Sequence, residues 1–234
     1  MCIKEYLIIT SLLFFWQQLL AQDDRYAASY MSAVSNHAAL FSGNLQQSLP
    51  FRPLNHQYFV QEDYTKGRLS YGGVIYPDVL IRWDLYRDEL MVLTPANYNV
   101  VLKSEYVDFA EIEGDYIIYR RPDGLSGCPP SGFYILLYSG DNILLEKLSK
   151  TLREKAHDFD RFKRVYSFSQ SSIFYLQKNG AYDMIKNRKT LLKALDTHRS
   201  ELNRFIRING LSYKNDTKKM VLEVVQEYEK MNWQ

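Results

Sequence analysis

From Tyr58 to Ile185 apolar and polar residues alternate with a period of two, and that alternation calls for antiparallel strands joined by short turns. GRLSY and VIYPDVLIRWDLY flank Gly72-Gly73, a pair able to take positive φ in a two-residue hairpin turn. In VLIRWDLY, residues Val79, Ile81, Trp83 and Leu85 fall on one face and Arg82, Asp84 and Tyr86 on the other. Arg87-Asp88-Glu89 then connects to LMVL, with Glu89 expected in solvent. YNVVLK follows, then FAEI and DYIIYRR around Glu113-Gly114, then GFYILLY. Past Ser139-Gly140-Asp141-Asn142 comes ILLEKLSKTL, whose period fits a strand or a short helix, with regular structure expected to end near Arg153. RVYSFS, SIFYLQK and AYDMI complete the series, the last two separated by Asn179-Gly180, a strong hairpin signal. Nineteen tyrosines and twelve phenylalanines suit such strands, where a ring packs on one face and a phenolic hydroxyl reaches water.

After Ile185 the period changes. Leu191, Leu195, His198, Leu202 and Phe205 form a helical stripe, which predicts one helix over 187–208 stopped by Gly210. A second helix is predicted over 216–231, with Asp216 as N-cap and Val221, Val224, Val225 and Tyr228 as its apolar side. RYAASYMSAVSNHAALFSG suggests a further short helix ending near Gly43. The expected fold class is α+β: an antiparallel β-meander over 58–185, forming a curved sheet or partial barrel, with C-terminal helices.

The first residues, MCIKEYLIITSLLFFWQQLLAQDD, have the order of a secretory signal: Lys4, an apolar run from Tyr6 to Trp16, and a cleavage site at Leu19-Leu20-Ala21. The run is short for a bilayer span and ends at Gln17-Gln18. The organisation expected is a signal peptide over 1–21 and a single domain over 22–234, exported to the periplasm or associated with the outer membrane. Cys128 would then be the only cysteine, in the turn GCPPSG, so stability must come from packing rather than from an internal disulfide.

Three acids within six positions, Asp84, Asp88 and Glu89, are the nearest thing to an active site. Each has a structural reading. Asp88 suits a turn through local hydrogen bonds, Glu89 flanks it, and Asp84 can reach Arg82 or the next strand. His37, His56, His157 and His198 make no ligand pair, and His198 on its stripe reads as a core histidine. There is no HExxH, GxSxG, phosphate loop or nucleotide fingerprint, so no metal, cofactor or catalytic residue is assigned.

Charge separates the chain instead. From Lys147 onward there are 19 Lys/Arg against 10 Asp/Glu, and before it 10 against 17. The basic part can dock an anionic partner, with Arg153, Lys155, Arg161, Lys163 and Arg164 as candidate contacts. Alternatively, the two parts neutralise each other within the fold. For an exported chain the partner would be an envelope protein or an anionic lipid surface rather than nucleic acid.

Leu40-Phe41-Ser42-Gly43, the segment Asn55-His56-Gln57-Tyr58-Phe59, the G-x-x-x-Y-x-G-x-x-Y run from Gly67 to Tyr76, Asp84-Leu85-Tyr86-Arg87-Asp88 and Gly132-Phe133-Tyr134 complete the pattern. In these the chain resembles a group of uncharacterised exported β-rich proteins of Gram-negative bacteria. The resemblance covers most of the mature chain and rests on turn glycines and strand aromatics. It implies an exported β-rich protein and transfers no activity. The functional expectation is a non-catalytic envelope protein that binds or scaffolds a partner. The alternative is a carrier that holds a lipid or other apolar ligand between a curved sheet and a helical lid.

Overall fold

The computed structural model describes residues 40–113, 116–121, 129–156 and 164–232. The proposed signal, the short helix before Gly43 (apart from its last residues), His37, Cys128 and His157 lie outside them. Of the two compact units, Met1–Ser42 contributes only Leu40–Ser42 to the description, and the other begins at Gly43.

Eleven strands among the described residues pair antiparallel in one open ladder: β1 (Asn44–Leu45), β2 (Thr65–Tyr71), β3 (Val74–Asp84), β4 (Glu89–Leu93), β5 (Asn99–Val101), β6 (Val107–Ile112), β7 (Tyr116–Arg121), β8 (Gly132–Ser139), β9 (Ile143–Ala156), β10 (Arg164–Lys178) and β11 (Ala181–Ile185). Their order is β1-β5-β4-β3-β2-β6-β7-β8-β9-β10-β11, so from β6 onward each strand pairs with the next, as a meander requires. Gly72 and Gly73 take φ of 60° and 76° in the β2–β3 turn, and Asn179 and Gly180 take 51° and 79° in the β10–β11 turn. The α+β class is as the periods indicate. The sheet is curved and not closed.

Its curvature is visible in contacts between strands that are not neighbours. The Lys150 N–H of β9 donates to Leu85 O just past β3 at 2.9 Å. Trp83 of β3 packs edge-on against Phe133 of β8, with ring centroids 6.3 Å apart. Against β8–β11 pack three helices: α1 (Arg188–Leu195), α2 (Arg199–Ile208) and α3 (Thr217–Asn232). Leu144, Phe174, Leu176 and Ile185 of the sheet meet Leu191, Leu195, Leu202, Ile206, Val221 and Val224 in one buried cluster. The helices rest directly on the strands.

Three expectations are corrected. ILLEKLSKTL is strand, and β9 runs on to Ala156 rather than ending near Arg153. RVYSFS and SIFYLQK are one strand, because β10 pairs with β9 without a break from Arg164↔Ala156 to Gln177↔Ile143. The cross-strand ladder carries the chain through the polar Ser169–Ser172 stretch, which shows no apolar period of its own.

The third correction concerns the helix expected over 187–208. It is two helices, broken at Asp196-Thr197-His198, where Asp196 and His198 have φ of 66° and 54°. The carbonyl at the end of α1, Leu195 O, accepts from Thr197 N and from the Lys178 ammonium, both at 2.8 Å. These donors satisfy an end the sequence stripe would have run through. His198 is therefore no core histidine. It is exposed at the N-cap of α2, with its ring 6.3 Å from Tyr228. The last helix follows its sequence signals, with Asp216 Oδ1 accepting from Lys219 N at 2.9 Å.

Candidate functional site

The acids of the β3–β4 turn are bound by structure. Asp84 is fully buried. Its Oδ1 accepts from Tyr86 N at 2.8 Å and Arg87 N at 3.0 Å, and its Oδ2 from Gln57 Nε2 at 3.1 Å. This is the local backbone capping that short carboxylates make in turns. Asp88 holds left-handed φ of 57° and reaches across the molecule. Its Oδ2 accepts from Lys147 Nζ at 2.5 Å and Phe133 N at 3.3 Å. Glu89 opens β4, half-buried rather than in solvent, and burial raises its pKa while Arg87 lowers it and Asp84 raises it.

Asp84 and Asp88 are held by different donors, and Asp84 stands across the ladder from Glu89, whose pKa it helps to raise. Asp84 is not paired with Arg82. The Arg82 guanidinium lies between the rings of Tyr58 and Tyr64, 3.9 Å and 4.1 Å from their centroids, and donates to Glu62 O and Gln46 Oε1. Gly132 completes the Asp88 site. Its φ is 141°, and a Cβ there would collide with the Asp88 carboxylate and the Lys147 ammonium. No group of three or more His, Cys, Asp and Glu among the described residues could hold a metal ion.

The basic part divides. Lys147, Lys150 and Lys178 turn inward. Lys147 pairs with Asp88, an acid from the other half of the chain. Lys150 Nζ donates to His56 O at 3.0 Å and Tyr58 O at 2.6 Å, and burial lowers its pKa against the opposing pull of Asp84. Lys178 donates to Leu195 O and Tyr228 Oη. Among the candidate contacts, Arg153 is exposed on β9, and Lys155 is placed two residues further along the same strand. Arg164 is exposed and pairs with Glu154 at 3.2 Å. Arg161 and Lys163 lie outside the described residues.

A larger set of outward cations sits on α1 and α2. Arg188, Lys189 and Lys193, with Arg199 and Asn203, rim a groove of about 590 Å³ with Leu192 at its floor. Arg204 and Arg207 continue the surface. Only two acids, Asp196 and Glu201, lie in α1, α2 and their connection, and among the described residues the one ion pair there joins Arg199 to Asp196 at 3.7 Å. Lys189, Lys193, Arg204 and Arg207 have no acidic partner among the described residues. The signal for this face was present in sequence as the four-residue spacing of Lys189 and Lys193, but predicting one continuous helix hid the groove between two.

A third feature is the segment Gln46–Glu62, which crosses from β1 to β10 before entering β2. Phe51 stacks on Tyr166 with centroids 4.1 Å apart, and Leu54 N donates to Tyr166 O at 2.8 Å. Asn55 grips the backbone of Phe168 twice, accepting from its N at 2.6 Å and donating to its O at 2.9 Å. Beneath this strap is an open groove of about 950 Å³. Sequence reading noticed Asn55 to Phe59 only as part of a resemblance, since none of its partners is close in the chain.

Comparison with known protein families, curated sequences and solved structures returns no match.

Proposed function

We propose that the chain is a non-catalytic binding protein of the cell envelope, exported through its N-terminal segment and docked to anionic lipid headgroups by the α1–α2 face. The observation that carries this reading is the concentration of outward cations on α1 and α2, of which Lys189, Lys193, Arg204 and Arg207 meet no carboxylate among the described residues, around an apolar floor. Cationic rims over apolar floors suit the boundary between headgroup and acyl chain, and each basic residue near an anionic surface contributes about 1 kcal/mol. Ile208, exposed at the end of α2, adds an apolar contact on the same helix. Asp84 and Asp88, each held by donors of the fold, support the non-catalytic half of the reading. No helix among the described residues is long and apolar enough to cross a membrane.

The test is co-sedimentation with anionic and with zwitterionic vesicles. Binding to anionic vesicles alone is expected, weakening steeply between about 50 and 200 mM salt as exposed charges are screened. Charge reversal at Lys189, Lys193 and Arg204 together should abolish it. Reversal at Arg153, Lys155, Arg161, Lys163 and Arg164 tests the β9–β10 hairpin separately. Loss of binding only in the hairpin variant would move the docking surface there. Equal binding to both vesicle types, or salt-insensitive binding, would overturn the reading.

A further inference from the structure

The groove along the Gln46–Glu62 strap encloses about 950 Å³, and it is distinct from the α1–α2 face. Its chemistry is mixed in an informative way. Arg52 and Arg82 line it, with His56 and Glu62, and its walls include Phe51 and Leu54. Arg52 forms no hydrogen bond or ion pair among the described residues, and Arg82 has no carboxylate partner there. Two polar atoms in the wall, His56 Nδ1 and Arg82 Nε, are buried without a hydrogen-bond partner. Orphaned polar atoms in a native wall call for an explanation, because leaving them unmet is costly.

The backbone of the strap points the same way. Val60 holds φ of 48°, with Gln61 N donating back to Phe59 O at 2.5 Å in a three-residue turn. A β-branched residue in left-handed backbone is strained, and strain of this kind gathers at ligand clamps. The turn leads directly to Glu62, whose backbone carbonyl holds Arg82.

We infer that this groove binds an acidic saccharide, a sugar carrying a carboxylate or a phosphate. Arg52 meets the acid group, since a guanidinium fork suits carboxylate and phosphate oxygens. Glu62 at the rim accepts sugar hydroxyls, which a bare anion lacks. Phe51 and Leu54 provide apolar contact for the sugar's C–H faces. The orphaned atoms are buried, so the acid group first meets Arg52, and the strap side chains must yield for it to reach Arg82 Nε and His56 Nδ1.

His56 supplies a reporter. Burial and Lys150 lower its pKa, Glu62 raises it, and Arg82 lowers it again. An anion brought into this field favours the imidazolium, so binding should raise the His56 pKa. The experiment is histidine NMR titration of the purified protein, with His56 assigned by His56→Gln. The probes are glucuronate, glucose 6-phosphate, glucose and inorganic phosphate.

Both acidic sugars should bind tighter than glucose and than phosphate, and should raise the His56 pKa. Arg52→Ala, an exposed substitution, should weaken both by about tenfold, as expected for one charge-assisted contact. Reversal at Lys189, Lys193 and Arg204 should leave this binding unchanged, which separates it from the proposed lipid docking. No binding, phosphate binding as tightly as the sugar phosphate, or unchanged affinity in Arg52→Ala would each overturn the inference.

Discussion

The β3–β4 turn and the α1–α2 face are both dense in charge, yet they treat it in opposite ways. At the turn, Asp84 takes two backbone donors and Gln57, and Asp88 takes Lys147 and Phe133 N. On the helices, Lys189, Lys193, Arg204 and Arg207 point outward and meet no acid among the described residues. The difference follows from burial. A carboxylate inside the protein persists only if donors replace the water it lost, whereas an exposed ammonium keeps its water and needs no partner. Paired charge at the turn serves the structure, and the unpaired cations of the helix face are exposed.

The comparison breaks most visibly at Gly132. Gly132→Ala imposes an L side chain at φ of 141° and drives a Cβ into the Asp88–Lys147 pair. It should lower stability by about 3 to 5 kcal/mol, read from denaturant melts. A loss under about 1 kcal/mol would mean that the pair is not held against β8.

Next in size is Asp84→Ala, which leaves two backbone N–H groups and Gln57 without their acceptor in a fully buried place. The expected cost is about 2 to 3 kcal/mol. Glu89→Gln, nearby but only half-buried, should cost no more than about 0.5 kcal/mol. Equal costs at the two positions would erase the distinction between occupied and peripheral acids.

Acid should expose a smaller effect at His56. Its folded pKa lies below the ordinary imidazole value of about 6.5, chiefly through burial and Lys150. The unfolded chain therefore binds more protons in the window between the folded and unfolded values. Stability from this group is present above the unfolded pKa and is lost as pH falls through the folded one. Melts between pH 7 and pH 5 should show a shallower decline in His56→Gln than in the parent. An identical decline would place the acid sensitivity elsewhere.

The smallest effect on stability belongs to the helix face. Reversal at Lys189, Lys193 and Arg204 should change stability by no more than about 0.5 kcal/mol, as exposed substitutions do. A large loss would show that these cations stabilise the fold and are not held outward for a partner.

The sequence by itself determined the α+β class, the meander and its turns. Period-two alternation, Gly-Gly and Asn-Gly pairs and the Asp216 cap are local signals whose physics acts within a few residues. It offered a structural reading of the turn acids too, which for Asp84 rests on the nearby N–H groups of Tyr86 and Arg87. Only the tertiary structure decided their distant partners: Lys147 is 59 positions from Asp88, a pairing made by the curvature of the sheet. It also decided that the stripe through His198 is broken, because Lys178 from β10 takes the carbonyl at which α1 ends. The strap groove is of the same kind. Gln46–Glu62 carries no period, and its form comes from Tyr166 and Phe168, more than a hundred residues along the chain, which no local propensity encodes.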